Sequence, residues 1–478
     1  MSDNVARGTM LGIAGQAWHL LTAFLLYAFL ARRLGPVLFG QWRVVLSVLM
    51  WFELFVNSGI ASLAAKSISE TPEKRVDLAH AAYAVQLLVG LSVFGAIVLG
   101  AGWVARLLSN PGLAPLLRIA ALDIPVYSAL LVTSAVVLGL KRFERQAVAW
   151  VVYATAKAAA IAVLVAAGFS VAGALIGNAL SSVAGLAVVI VPAARGGRGL
   201  APRAGGLALG MLVASVPFLV LSLLDGLGQN VGLWTVSSVM GNAALVGLYS
   251  AAVAIAEVPV FLFLGLNRVI LPAVASAGAE GDRPLARHYV TQAVRLALIV
   301  TVLGVALIAA NGRQVIALIY STSYLGAFLP LVVLMIAAVG QTVVATCTQV
   351  LMAQNRARLA LGVLAGALAL QVALLGVLAP RFGILGAAAA TASSALVASA
   401  CEALVLRGSL GSRPVATLAR CVVAGAVVAV ALAYASPSPL AVVPAFALAA
   451  VAYLAVLGIL REFDALDVAS VKNALWKR

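Results

Sequence analysis

Fourteen apolar runs of about twenty residues each, joined by short polar turns, fill this chain of 478 residues. The first six centre near Phe24, Trp51, Ser92, Val132, Val163 and Ser182. The next six centre near Leu219, Ala256, Val302, Ile336, Leu368 and Ala395, and two more near Val427 and Ala450. A run of that length crosses a bilayer as a helix, and in lipid only helices and closed barrels satisfy every backbone N–H and C=O. Hydrophobic residues make up 64% of the chain against 10% charged, with a mean hydropathy of +1.12. No water-soluble fold hides that much apolar surface. The expected fold is an all-α polytopic membrane protein with about 14 transmembrane helices. The first run is too long for a secretory signal and lacks a small-residue cleavage site, so it reads as the first span.

The runs come as two copies. Leu30 to Trp42 reads LARRLGPVLFGQW and Ser238 to Ser250 reads SVMGNAALVGLYS; both lead from an apolar run through spaced glycines into the next run. Further along, Phe169 opens FSVAGALIGNALSS and Phe382 opens FGILGAAAATASS. Gly40 and Gly247 are 207 positions apart, Gly173 and Gly386 are 213 apart, and offsets so nearly equal imply a tandem duplication. The expected organisation is an N-lobe over 1–200, a C-lobe over 201–408, and two extra helices with a tail over 409–478. Six spans per copy leave both lobes the same way up, related by an axis along the membrane normal, with a cavity between them at mid-depth.

Formal net charge is +16. On a fourteen-span topology with both ends in the cytoplasm, 21 Lys and Arg fall on the cytoplasmic side, among them Lys66, Lys74, Arg75, Lys141, Arg142 and Arg145, against 7 outside. That is the positive-inside bias, so the excess charge serves topology and contact with anionic lipids, not nucleic acid. No connection exceeds about two dozen residues, and no phosphate-cradling glycine loop is followed by Lys and Ser or Thr. His19, His80 and His288 match no metal spacing, and Cys347, Cys401 and Cys421 read as small packing residues. No catalytic residue, metal or cofactor is expected.

A further set of motifs follows in order over about 400 residues. ARRLGPVLFGQW carries Gly35, Pro36, Phe39 and Gly40; Asp225 lies near the end of span seven; VGLYSAA carries Gly247 and Tyr249; Pro272 sits in VILPAVA. LIYSTSYLGA precedes span ten, MAQNRARLAL ends it, and RFGILGAAAAT opens span twelve. The series resembles polysaccharide (O-unit type) flippases of the multidrug/oligosaccharidyl-lipid/polysaccharide (MOP) exporter superfamily. That superfamily also holds multidrug and toxin extruders, which commonly have twelve spans, and the lipid II flippase. The resemblance implies an inner-membrane carrier, not an enzyme, with both termini cytoplasmic. It would move an undecaprenyl-pyrophosphate-linked oligosaccharide outward by alternating access, beside glycosyltransferases and a polysaccharide polymerase. A lipid II flippase, a multidrug or cation antiporter and a membrane-embedded glycan polymerase remain alternatives; the last suits poorly a chain whose outward loops hold almost no carboxylates.

A charge near mid-bilayer costs on the order of 3 kcal/mol, so the intramembrane charges are the site candidates. Lys157 lies about ten residues into span five, with Tyr153 one turn earlier. Glu257 and Arg268 share a face of span eight, about 16 Å apart. Ser222, Asp225 and Gln229 form a stripe on span seven, Glu53 and Asn57 one on span two, Asp123 and Tyr127 one on span four. Arg32 and Arg33 stand on the outward side, against the charge rule, and Arg295 lies one turn from the cytoplasmic end of span nine. With the resemblance, Lys157, Arg268, Arg33, Arg32, Arg295 and Tyr153 become substrate contacts, and Glu257, Asp225, Glu53 and Asp123 become coupling carboxylates for H⁺ or Na⁺. The membrane potential alone, worth about 2.3 kcal/mol per charge at 100 mV, also favours an anion leaving the cell. Blander roles stay open: Lys157 paired with a carboxylate, Asp123 as a helix cap, Asp225 simply wet, Arg268 and Arg295 snorkelling, and Arg32 and Arg33 on outer-leaflet phosphates.

Overall fold

The computed structural model describes residues 2–57, 59–194, 204–279, 283–354, 356–410, 413–435 and 441–463. Among the described residues the regular elements are all helical. They run α1 (Ser2–Val56), α2 (Ile60–Glu70), α3 (Arg75–Leu107), α4 (Leu113–Ala121), α5 (Asp123–Gly139), α6 (Phe143–Leu164), α7 (Ser170–Ala194) and α8 (Ala204–Met240). There follow α9 (Ala243–Ala279), α10 (Arg283–Ile319), α11 (Phe328–Ala353), α12 (Ala357–Val405), α13 (Arg407–Leu410), α14 (Arg413–Ala435) and α15 (Val442–Ile459). Ten helical runs among the described residues are long and apolar enough to cross a membrane. They do not map one to one onto the fourteen expected stretches, because three of them bend at a glycine: Gly35 (φ 70°), Gly168 (φ 96°) and Gly383 (φ 64°). At the first bend Gly35 takes the left-handed backbone that a side chain resists. Pro36 then restarts the helix where its missing N–H leaves no gap in the ladder.

Packing divides the chain into two units, Met1–Gly247 and Leu248–Arg478. In the first, Ile68, Leu130, Val137, Tyr153 and Val189 build a core between α2, α5, α6 and α7. The lobe boundary expected after residue 200 falls before α8, yet α8 packs on α1, α2 and α3 and so joins the first unit. Trp234 Nε1 donates to Ser47 Oγ at 2.9 Å, and Ser237 Oγ donates to the Leu108 carbonyl at 3.1 Å. The start of α9 meets α1 so closely that a Cβ on Gly40 would overlap the Ala243 carbonyl oxygen, and one on Gly247 that of Pro36. The two repeat-related glycines are thus the point where these helices touch, and small residues give such contacts their dispersion energy.

In the second unit α10 packs against α11, α14 and α15. Val302, Cys421, Val428 and Tyr453 fill the space between α10 and the last two helices, and Val290, Cys347, Leu351 and Leu406 fill another between α10, α11 and the end of α12. The duplication is written into the backbone of each unit. Ser170 (φ 52°, ψ −135°) and Gly383 (φ 64°, ψ −141°), 213 positions apart, share one unusual conformation. A Cβ on Gly173 would crowd that of Phe169 at 2.7 Å, and one on Gly386 would crowd that of Phe382 at 3.1 Å.

Candidate functional site

The first unit brings Glu53, Asp123 and Lys157 together. Asp123 opens α5 directly after the short α4 and is 1% exposed. Its Oδ2 accepts a hydrogen bond from Asn178 Nδ2 and its Oδ1 accepts one from Ser182 Oγ, each at 2.6 Å. Asn178 and Ser182 stand four residues apart on α7, so the helix presents both to one carboxylate. One turn along α5, Tyr127 hydrogen-bonds with Asn57 and lies within electrostatic reach of Glu53 on α1 and of Tyr153 on α6. Tyr153 hydrogen-bonds in turn with Ser181.

Lys157 follows Tyr153 by one turn of α6, and its Nζ lies 5.7 Å from the centre of that ring, a cation–π distance. His19 stacks on the same tyrosine with ring centres 6.3 Å apart and planes 14° apart. The Lys157 charge acts on Glu53, Asp123 and His19. Two carboxylates therefore face one ammonium, an arrangement with a negative excess when all three are ionised. Four of the expected residues, Lys157, Tyr153, Glu53 and Asp123, come together here. Asn178, Ser181 and Ser182 were not among the expected site residues. The α7 motif repeated at Phe382 was the available signal, since Asn178 falls on Thr391 in the second copy.

The other expected residues lie elsewhere. Arg32 and Arg33 are exposed on the last turn of α1 before Gly35. Asp225 is exposed on α8 and accepts a hydrogen bond from Gln229 Nε2 at 2.7 Å. Glu257 is half-buried on α9 within electrostatic reach of Tyr249, in the second unit. The Arg268 side chain lies outside the described residues. Near Glu257, the Tyr249 hydroxyl is 3.5 Å from Thr391 Oγ1, which also accepts from Gln371 Nε2 at 3.3 Å. A carboxylate not foreseen, Glu402, is fully buried at the end of α12; Thr348 Oγ1 donates to its Oε1 at 2.8 Å, while its Oε2 has no hydrogen-bond partner among the described residues. An acidic residue inside a 49-residue apolar helix was the signal for it.

Arg295 sits apart from these residues, 4% exposed and paired with Glu462, just past the end of α15. Its Nε donates to Glu462 Oε1 at 2.9 Å, and its remaining nitrogens reach the Glu462 carbonyl (2.5 Å) and Gln292 Oε1 (3.0 Å). Thr417 and Arg420 on α14 complete the shell at 2.5 and 2.8 Å. Burial alone would push the Glu462 carboxyl up; the hydrogen bonds from Thr417, Arg420 and Arg295, with the Arg295 charge, outweigh it and hold the group below the usual carboxylate range. A guanidinium buried this deep is costly unless such a partner compensates it.

Comparison with solved structures places this arrangement in a known fold. "Lipid II flippase MurJ, inward closed conformation" superposes with a TM-score of 0.77 at 11% identity, over 94% of this chain and 98% of that one. An inward-facing multidrug resistance MATE family transporter of the MOP superfamily superposes with a TM-score of 0.70 at 16% identity, over 82% of this chain and 95% of that one. No curated protein matches the chain in sequence. The helices and their repeat thus define a multi-pass membrane protein with the fold of the MOP superfamily. A profile of the polysaccharide biosynthesis protein family matches residues 5–278, and the chain belongs to that family.

Proposed function

We propose that the protein is an inner-membrane flippase that carries a polyprenyl-pyrophosphate-linked oligosaccharide from the cytoplasmic to the outer leaflet by alternating access. The observation that carries this reading is Lys157, held at membrane depth between Tyr153 and two carboxylates. With Glu53 and Asp123 ionised, Lys157 is neutralised and one negative charge is in excess; a bound H⁺ or Na⁺ removes that excess. A pyrophosphate arriving at Lys157 competes with the two carboxylates for one cation, and the competition is won when a proton or Na⁺ occupies the carboxylates. Substrate and coupling ion then favour each other's binding, as linkage requires of two ligands that relieve the same repulsion.

Asp123 is built for that exchange. Asn178 Oδ1 is buried without a hydrogen-bond partner among the described residues, so turning the amide over would offer an acceptor to a proton on Asp123. The glycan is the polar load and the polyprenyl chain remains in lipid, as its apolar character demands. The family and the fold support transport over catalysis, and surface-polysaccharide glycosyltransferases and a polymerase are the natural suppliers and consumers of such a substrate.

The test is translocation of a fluorescent polyprenyl-pyrophosphoryl oligosaccharide in proteoliposomes, read by accessibility to an impermeant quencher. Lys157→Met is expected to lower the rate at least tenfold while the protein still elutes as a folded species. A Lys157→Met protein that flips the lipid at the wild-type rate would remove the basis of the proposal. Elongation of the glycan in the same vesicles would favour a polymerase instead.

A further inference from the structure

The basic end of the first unit holds a second feature, independent of the transport reading. A cavity of about 320 Å³ opens between α2, α3, α5 and α7. Arg75 and His80 line one part of it, and its long wall is apolar, running past Ala79, Val136 and Leu186 to Leu87 and Ile190. Tyr83 and Thr133, which also line it, are engaged with each other at 3.0 Å, and Thr133 Oγ1 donates onward to the Ala129 carbonyl at 2.6 Å. Arg75 Nε and His80 Nδ1, by contrast, are buried with no hydrogen-bond partner among the described residues. Buried polar atoms left so are uncommon and ask for a ligand or a water. The volume lies within the range of small-molecule sites.

The shape of the site selects the ligand. From Arg75 to Leu87 the cavity follows α3 for about 18 Å, from the first turn of the helix into the depth of the bilayer. Leu87 at the deep end is 36% exposed, and Ile190, nearer the head toward the end of α7, is 51% exposed, so the cavity opens sideways on an apolar surface. Lys74 and Lys141, both exposed, stand beside the near end on the turns that precede α3 and follow α5. A polar, cationic head and a long apolar trough open to lipid match a molecule with a phosphate at one end and hydrocarbon at the other. A soluble anion would use the head and leave the trough unexplained. Basic pockets between membrane helices at this level are suited to anionic headgroups.

We propose that this cavity is a site for an anionic phospholipid of the cytoplasmic leaflet, its phosphate held by Arg75 and His80 and an acyl chain lying along α3 toward Leu87. The experiment reconstitutes the full chain in phosphatidylcholine vesicles containing a small fraction of photoreactive phosphatidylglycerol, and maps the labelled peptides by mass spectrometry. Label is expected in the peptides spanning 75–87 and 129–140, and Arg75→Gln is expected to reduce it about fivefold, the loss that one basic contact with an anionic lipid implies. His80→Ala, which removes the second head group contact, should reduce it in the same direction. Unchanged melting temperature of both variants separates lost binding from lost fold. Equal labelling of these peptides by photoreactive phosphatidylcholine, or equal yield in Arg75→Gln, would overturn the proposal. So would displacement by millimolar inorganic phosphate, which would make the site one for a free anion. Displacement by undecaprenyl phosphate at the same mole fraction as the phosphatidylglycerol would also overturn it, assigning the trough to the carrier lipid.

Discussion

Removing the Glu462 side chain tests whether Arg295 serves structure or substrate. In Glu462→Ala the Arg295 guanidinium, 4% exposed, loses its Oε1 partner, and Thr417 and Arg420 lose theirs. Breaking a buried pair by deleting one member leaves an uncompensated charge and costs about 3–5 kcal/mol. Arg420 adds little to that figure, because its side chain is 40% exposed and a screened pair of that kind is worth about 0–1 kcal/mol. For a unit of this size such a loss lowers the melting temperature on the order of 10 °C. The doubly apolar variant Arg295→Met with Glu462→Leu removes both charges together and should return to within about 2 kcal/mol of wild type, or exceed it. Stability is read by intrinsic tryptophan fluorescence during a thermal ramp in detergent, and transport by the vesicle assay. The double variant is expected to transport normally. If it unfolds like wild type and yet fails to transport, Arg295 touches the substrate and the structural reading is wrong.

The same residue sets a pH dependence with a fixed sign. The Glu462 carboxyl titrates lower in the folded protein than in the unfolded chain, where it is near 4.3. Its contribution is therefore complete above that value and is lost as pH falls toward and through the lower, folded one. The wild-type melting temperature should drop below about pH 4 more steeply than that of the doubly apolar variant, and the two curves should run parallel above pH 6.

Three further outcomes follow from the packing. Gly40→Val places carbon against the Ala243 backbone, which cannot swing aside, and should cost about 1–3 kcal/mol, whereas Gly100→Ala, with nothing within 4 Å, should be neutral or stabilise by up to about 1 kcal/mol in the same thermal ramp. Ser170→Gly relieves a backbone conformation that its counterpart Gly383 occupies without strain, and should raise stability by about 1–2 kcal/mol; a loss would mean that the Ser170 side chain makes a compensating contact. Asp123→Leu strands Asn178 and Ser182 in the core at about 1–3 kcal/mol each, while Asp123→Asn keeps an acceptor for Ser182 and can donate to a turned Asn178 amide. The asparagine variant should therefore fold like wild type, and loss of ion-dependent flipping in that folded protein separates coupling from stability.

What the sequence discloses and what it conceals divide along one physical line. Features that repeat or that break a local rule were legible: the apolar runs, the Gly35–Pro36 bend, the duplicated Gly40 and Gly247, and charges where lipid should forbid them. Each is a property of a few neighbouring residues. Pairings across the bundle were not. Nothing near Arg295 announces Glu462, 167 positions later, and nothing near Asp123 announces Asn178 and Ser182. The membership of α8 in the first unit hangs on contacts such as Trp234 with Ser47 that no periodicity encodes. The repeat partly bridges this gap, because a position that matters in one copy draws attention to its twin. Asn178 maps onto Thr391, and in each unit that residue hydrogen-bonds to a polar partner on another helix: Asp123 in the first, Tyr249 in the second. The scaffold of the two clusters is shared, but only the first carries Lys157; its positional counterpart lies at Gln371 within one residue, a side chain that bonds without charge. Duplication therefore preserved a polar crossing in both halves, while the Lys157 ammonium belongs to the first of them. Grafting the charge by Gln371→Lys places an ammonium beside the buried Thr391 and should destabilise the second unit in the same thermal ramp.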